Sequence, residues 1–169
     1  MIYLLRHGET EWNRQGRLQG HGDSPLTERG LSQAVAMGGA LRREIGDAAL
    51  AGFTLVSSPL GRTLATARCI AAVIGTNPAE IVEEPRLVEH GFGEWEGEIY
   101  DEVADLYPEQ WRAREADRWN YQVPGGESYA LVAKRVGAWL AEQPEGAQLI
   151  VVSHGLAGKV LRGLYLGAT

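Results

Sequence analysis

An α/β fold, a three-layer α/β/α sandwich around a mostly parallel central sheet, is predicted by three features of this sequence. Short apolar runs are rich in β-branched and aromatic residues, stretches at helical spacing lie between them, and the two alternate along the chain. The runs are Ile2 to Leu5, Phe53 to Val56 and Leu149 to Val152. None alternates polar with apolar, so each reads as a strand buried on both faces. Parallel strands joined through helices imply right-handed crossovers, which place helices on both sides of the sheet.

The helices follow from spacing and caps. After Thr27, small or apolar residues recur at Leu31, Ala34, Val35, Gly38, Leu41 and Ile45, one helical stripe with Thr27 as its N-cap. Ser58-Pro59 reads as a cap followed by a first-turn proline, and Leu60, Leu64, Ala67, Ala71 and Ile74 continue the stripe. Tyr100 to Trp119, dense in charge and aromatics, predicts one or two short surface helices interrupted at Pro108. Ser128 caps a further helix carrying Val132, Val136, Trp139 and Leu140.

Composition narrows the functional classes. The 169 residues are 44% hydrophobic and 22% charged, with no repeat or linker, so residues 1–169 read as one domain. Sixteen basic against 22 acidic residues give a net charge of -6, the wrong sign for a general nucleic-acid binder. No apolar run approaches the roughly 20 residues needed to cross a bilayer. The N-terminal run passes straight into Arg6-His7 without a secretory leader, so a cytoplasmic location is expected. One cysteine, Cys69, excludes an internal disulfide and a cysteine metal cluster, and its neighbours Ala67, Ile70 and Ala71 suggest a packed thiol. The oligomeric state is not legible.

Ligands of open α/β sheets bind beyond the carboxyl ends of the strands. Each run is followed there by polar residues: Arg6-His7-Gly8, then Ser57-Ser58-Pro59 with Arg62, then Ser153-His154-Gly155. Two arginines and two histidines should therefore converge. Arginine forks suit phosphate or carboxylate, and each charge-assisted contact is worth about 1.5–3 kcal/mol. A neutral imidazole beside them can attack phosphorus, and a second can donate to the equatorial oxygens. A leaving alkoxide needs a proton, and Glu89, among apolar and glycine residues in Leu87-Val88-Glu89-His90-Gly91-Phe92-Gly93, is a candidate donor. Bland alternatives stand beside these readings: loop histidines, arginines paired with Glu9 and Glu11 at the surface, and a simply solvated Glu89.

The residues resemble a known family, the histidine phosphatase superfamily, in its phosphoglycerate mutase-like branch. The similarity lies in Leu4-Leu5-Arg6-His7-Gly8-Glu9-Thr10-Glu11-Trp12-Asn13, Gln19-Gly20 through Thr27, Ser57 through Thr63, Glu89 through Gly97, Gly125-Gly126-Glu127-Ser128, and Val151-Val152-Ser153-His154-Gly155. In order, these segments span nearly the whole chain. The resemblance implies a phosphoglycerate mutase-like fold, with His7 as phosphoryl-accepting nucleophile and Glu89 as proton donor and later base. It implies that Arg6, Asn13, Arg62 and His154 bind the phosphoryl group, that Gln19, Gly20 and Gly155 line the pocket, and that no metal or other cofactor takes part. His21 and His90 are expected to shape the pocket or lie in loops, Trp95 could border the substrate, and Glu127 receives no role.

Within that family one half-reaction serves two outcomes. Water reaching the phosphohistidine makes a phosphatase; return of the group to an acceptor makes a mutase. The interval between Glu89 and His154 is shorter than in the mutases that the chain resembles, and the Gln19 to Thr27 segment looks more like the phosphatase branch. The expectation is a histidine acid phosphatase-type phosphomonoesterase acting on a small phosphorylated metabolite. A mutase-type transferase and a phospholigand-binding protein without turnover are the alternatives. Family members continue past the helix after Ser153-His154-Gly155, whereas this chain stops at Gly167-Ala168-Thr169, an expectation of a short C-terminus.

Overall fold

The sheet has four strands, β1 (Ile2–Arg6), β2 (Thr54–Ser57), β3 (Val82–Glu83) and β4 (Leu149–Ser153), all parallel and ordered β1-β4-β2-β3. The computed structural model describes residues 1–167; Ala168 and Thr169, on which the expectation of a short C-terminus falls, lie outside the described residues. Every residue of β4 is buried, as a central strand requires, whereas β1 is only half-buried. The expectation that all three apolar runs are covered on both faces therefore fails for β1, because it lies at the edge of the sheet. The short strand β3, exposed and lacking an apolar run, was not foreseen.

Register positions the site. Arg6 pairs with Ser153 across β1 and β4, and Ser57 pairs with Val152 across β2 and β4. Three strands from remote parts of the chain thus end almost level, and His7, Ser58 and His154 emerge together.

Side-chain alternation splits the core in two. On one face Val56, Leu149 and Val151 pack with Val132, Val136 and Trp139 of α7 (Tyr129–Ala141) and with Ala157 and Leu161 of α8 (Gly155–Tyr165). On the other, Leu55, Ile150 and Val152 pack with Leu41 of α2 (Glu28–Ile45), Leu50 of α3 (Asp47–Leu50), and Ala67, Ile70 and Ala71 of α4 (Gly61–Ile74). Each fully buried large aliphatic side chain contributes about 1.5–3 kcal/mol, so both faces are needed to hold the layers.

Two caps appear as the sequence suggests. The Thr27 hydroxyl accepts from Gly30 N at 3.0 Å, and that of Ser128 from Leu131 N at 3.3 Å. The buried stripe of α2 is narrower than its sequence pattern, comprising Gly30, Ala34, Gly38 and Leu41, while Leu31 and Val35 are exposed. Small residues at Ala34 and Gly38 let α4 approach closely, and the flanking positions are left outside the contact. The helix after β2 begins at Gly61 with Leu60 as N-cap, so Ser58 is not its cap. Cys69 is half-buried rather than fully packed.

Two short helices, α5 (Val103–Leu106) and α6 (Pro108–Ala116), occupy the predicted aromatic region, with Pro108 starting the second. They help form a small third core of Leu18, Trp95, Val103 and Val123, flanked by Phe92, Tyr107, Trp111 and Tyr121. Trp95 is buried there, its Nε1 donating to Gln110 at 2.7 Å, and so it does not border the pocket. Helix α1 (Glu11–Arg14) is a single turn following β1. Among the described residues no helix is long and apolar enough to cross a membrane.

Candidate active site

A cavity of about 350 Å³ opens at the carboxyl ends of the strands, and Arg6, His7, Asn13, Arg62, Glu89 and Gly155 all line it. Gln19 and Gly20 line it too. The residues named from the sequence are therefore brought to one place, all on the cavity wall except His154, which packs against His7: the two imidazole centroids are 5.2 Å apart, the rings meeting edge-on.

His7 is buried at the end of β1, with Nδ1 2.8 Å from the carbonyl oxygen of Gly8. A carbonyl can only accept, so Nδ1 carries the hydrogen and the neutral ring has its lone pair on Nε2. Burial lowers the His7 pKa from 6.5 to about 4, assisted by Arg62 and Arg6 and opposed by the Gly8 bond and Glu89. At neutral pH the residue is an uncharged imidazole with a defined nucleophilic nitrogen.

His154 occupies the N-cap position of α8 without a side-chain capping bond and is buried, its Nε2 2.8 Å from Ser58 Oγ. Its pKa is also lowered, by burial first and then by Arg62 and His7. Ser58, expected as a helix cap, serves instead as the hydrogen-bond partner of this ring.

Arg62, in the first turn of α4, is buried and reaches back to the loop after α1. Its Nη1 donates to Gly22 O at 2.7 Å and Asp23 Oδ1 at 3.1 Å, and its Nη2 to Gly20 O at 2.8 Å. The alternative pairing with Glu9 or Glu11 does not occur: Glu11 pairs with Arg14 and Glu9 with Arg29. Arg62 Nε and His154 Nδ1 are buried without a protein partner. His90 Nδ1, on a residue outside the cavity lining, is in the same state, and leaving such an atom unpaired costs about 1–3 kcal/mol.

The remaining predicted residues are held by their neighbours. Asn13 closes a capping box with Thr10, its Oδ1 accepting from Thr10 N at 3.2 Å. The Gln19 amide donates to Thr10 Oγ1 at 2.8 Å. Gly20 has φ +52°, and a Cβ there would lie 2.1 Å from Glu96 Oε1, so only glycine fits. Glu96 accepts from the amides of His21 and Gly22 at 2.9 Å and of Phe92 at 3.0 Å, stitching the two loops of the pocket together.

Glu89 is not in apolar surroundings. Its carboxylate accepts from Gly155 N at 2.8 Å, Leu156 N at 3.1 Å and Ala157 N at 2.9 Å, the free amides of the first turn of α8, and from His90 N at 3.0 Å. The α8 N-terminus thus aims Glu89 into the cavity beside Gly155.

Arg17, Tyr100, Arg114, Tyr129 and Lys159 also line the cavity and were not singled out from the sequence. Arg114 was hidden because it is one of several charges in a region read as solvated; in fact it is buried, with Nη2 on Tyr129 Oη at 3.0 Å. Among the described residues no group of three or more His, Cys, Asp or Glu side chains is placed to hold a metal ion.

Two histidines, two arginines and a carboxylate gathered at the carboxyl ends of a parallel sheet define a phosphoryl-handling class of enzyme. The chain matches the histidine phosphatase superfamily (branch 1) over residues 2–169 and belongs to that superfamily. The Salmonella paratyphi C protein named probable phosphoglycerate mutase GpmB is 38% identical over 170 residues, covering 98% of this chain and 74% of the relative. The alpha-ribazole phosphatase of Shigella flexneri superposes with a TM-score of 0.84 at 27% identity, over 99% of this chain and 80% of the other. A mycobacterial glucosyl-3-phosphoglycerate phosphatase solved with VO3 gives 0.80 at 29% identity, over 98% and 81%.

Proposed function

We propose that this protein is a phosphomonoesterase that hydrolyses a small organic phosphate through a phosphohistidine on His7. The observation that carries the proposal is the His7 Nδ1 to Gly8 O hydrogen bond, which leaves Nε2 bare at the cavity while burial keeps the ring neutral. Nε2 attacks phosphorus, the ester P–O bond breaks, and Glu89 delivers a proton to the leaving oxygen. Water then attacks phosphorus, gives its proton to Glu89, and the P–N bond breaks to release phosphate and free His7. Arg6, Asn13, Arg62 and His154 hold the phosphoryl oxygens and spread the charge that develops on them.

The cavity supports a small substrate: about 350 Å³ suits a metabolite rather than a macromolecule. Arg17, Arg114 and Lys159 on its walls favour an organic portion bearing further anionic or polar groups. Two solved structures to which the chain is similar carry phosphatase names, which supports hydrolysis.

Phosphoglycerate mutase-type transfer is the second reading, favoured by the name of the 38% identical relative. Incubation with 3-phosphoglycerate and a bisphosphoglycerate primer separates them. Phosphate release from a panel of sugar phosphates, phosphoglycerates and nucleotides is expected; rapid isomerisation without phosphate release would overturn hydrolysis. Label from a ³²P-ester should be trapped on His7 and lost in His7→Ala. A wild-type protein that binds phosphate but traps no label would be a binding protein.

A further inference from the structure

Glu89 is fixed from two sides. Its carboxylate rests on the α8 amides, and its backbone is gripped by one side chain from α7, Arg135. Arg135 Nη1 donates to Arg86 O at 2.7 Å and to Val88 O at 2.8 Å, while Nη2 donates to Glu89 O at 2.9 Å. The remaining two hydrogen bonds go to Glu127: Nε to Oε1 at 2.8 Å and Nη2 to Oε2 at 2.9 Å. A guanidinium has five N–H donors, and here all are used, on one carboxylate and on three carbonyls of the segment that ends at Glu89.

Glu127 in turn belongs to the same clamp. Its Oε2 accepts from Gly91 N at 3.0 Å, its backbone N–H donates to Gly91 O at 2.9 Å, and its carbonyl lies 2.7 Å from His90 Nε2. On the outer side, His21 Nε2 donates to Glu89 O at 3.0 Å and lies 3.5 Å from Glu127 Oε2. Although burial works against it, hydrogen bonds from His21 and Arg135 hold the Glu127 carboxyl far below the ordinary carboxylate range. The Arg135–Glu127 ion pair is half-buried.

We propose that Arg135, oriented by Glu127, is a positioning residue that sets where the Glu89 carboxyl meets the leaving oxygen. This rests on the reading of His7 and Glu89 given above. All five N–H donors of Arg135 are committed to Glu127 and to backbone carbonyls, so it acts through the Glu89 backbone rather than on phosphate. Proton transfer requires hydrogen-bond reach, and a displacement of 1 Å can cost on the order of 10²-fold. Stability alone would explain a guanidinium bound to any loop; three bonds within residues 86–89, the last of them to Glu89 itself, point to a task in the step that uses the proton donor.

The test uses two esters of similar shape, phenyl phosphate with a poor leaving group and p-nitrophenyl phosphate with a good one. The measured quantity is kcat/KM, which stops at formation of the phosphoenzyme. Arg135→Ala is expected to lower kcat/KM by about 10–10²-fold with phenyl phosphate and less than about 3-fold with p-nitrophenyl phosphate, since an activated phenolate needs little protonation. Guanidinium added at low millimolar concentration should restore part of the phenyl phosphate loss. Arg135→Lys, which keeps the charge but not the fork, should fall between, and it carries the comparison if Arg135→Ala fails to fold. Glu89→Gln should show the same selectivity more strongly, and combining it with Arg135→Ala or Arg135→Lys should add nothing on phenyl phosphate. Equal losses on the two esters, or losses that multiply in the double variant, would overturn the positioning role. If Glu89→Gln itself does not distinguish the esters, the proton-donor reading fails and this inference falls with it; if Glu89→Gln distinguishes them and neither Arg135 variant does, only the inference falls.

Discussion

The imidazole rings of His7 and His154 meet edge-on with their centroids 5.2 Å apart, each at the end of a different strand. The juxtaposition disfavours charge on either ring: both are buried, Arg62 opposes a charge on each, and a charge on one would oppose a charge on the other. It ties the chemistry of the site directly to pH.

The His7 titration should therefore lie near pH 4 instead of near 6.5, as followed by the ring-proton NMR signals of the wild type with His7→Gln as the assignment control. A midpoint at 6 or above would contradict the neutral-nucleophile reading.

Stability should follow the same sign. Because folding lowers the pKa values of His7 and His154, the unfolded chain binds more protons once pH falls below about 6.5, and stability declines from there through about 4. At about 1.4 kcal/mol per unit, His7 alone accounts for about 3 kcal/mol between pH 7 and pH 4. Urea unfolding at stepped pH should show the decline, and His7→Gln should reduce it. His90, also lowered, adds to the decline and His21, raised by Glu127, opposes it, so the comparison with His7→Gln carries the test: identical profiles for the two proteins would show that the fold does not hold His7 neutral.

Arg62→Lys should weaken competitive inhibition by inorganic phosphate by about 10–10²-fold, since a lysine cannot reproduce the fork that bridges Gly20, Gly22 and Asp23. An unchanged inhibition constant would remove Arg62 from the phosphate site.

Two glycine substitutions should act in opposite directions. Gly20→Ala forces a side chain into a left-handed conformation against Glu96 and should cost about 1–3 kcal/mol, with loss of phosphate affinity as the loop shifts. Gly163→Ala, in α8 with open space around it, should stabilise by about 0.5–1 kcal/mol. Thermal melts of both variants check the pair.

Ser58→Ala removes the hydroxyl 2.8 Å from His154 Nε2 and leaves a buried ring nitrogen unpaired, at a cost of about 1–3 kcal/mol. Ser58→Thr should retain the contact; if Ser58→Ala melts like the wild type, the hydrogen bond does not orient His154.

Local signals determined a good deal. Apolar runs marked three of the four strands, Thr27 and Ser128 marked two helix starts, and polar residues at the strand ends named Arg6, His7, Arg62 and His154 before any contact was known. These are readable because strand burial, capping and turn chemistry depend on residues a few positions apart. Tertiary structure alone decided that β1 is an edge and β4 the centre, that Glu89 rests on the α8 amides, and that Ser58 serves His154. It also decided that Arg135 and Glu127 clamp the 86–91 segment, and that Arg114 is buried in a stretch that looks like surface. Each of these joins residues far apart in the chain, and the partner of a charge or an amide is set by which elements pack together, a quantity that no short window of sequence contains.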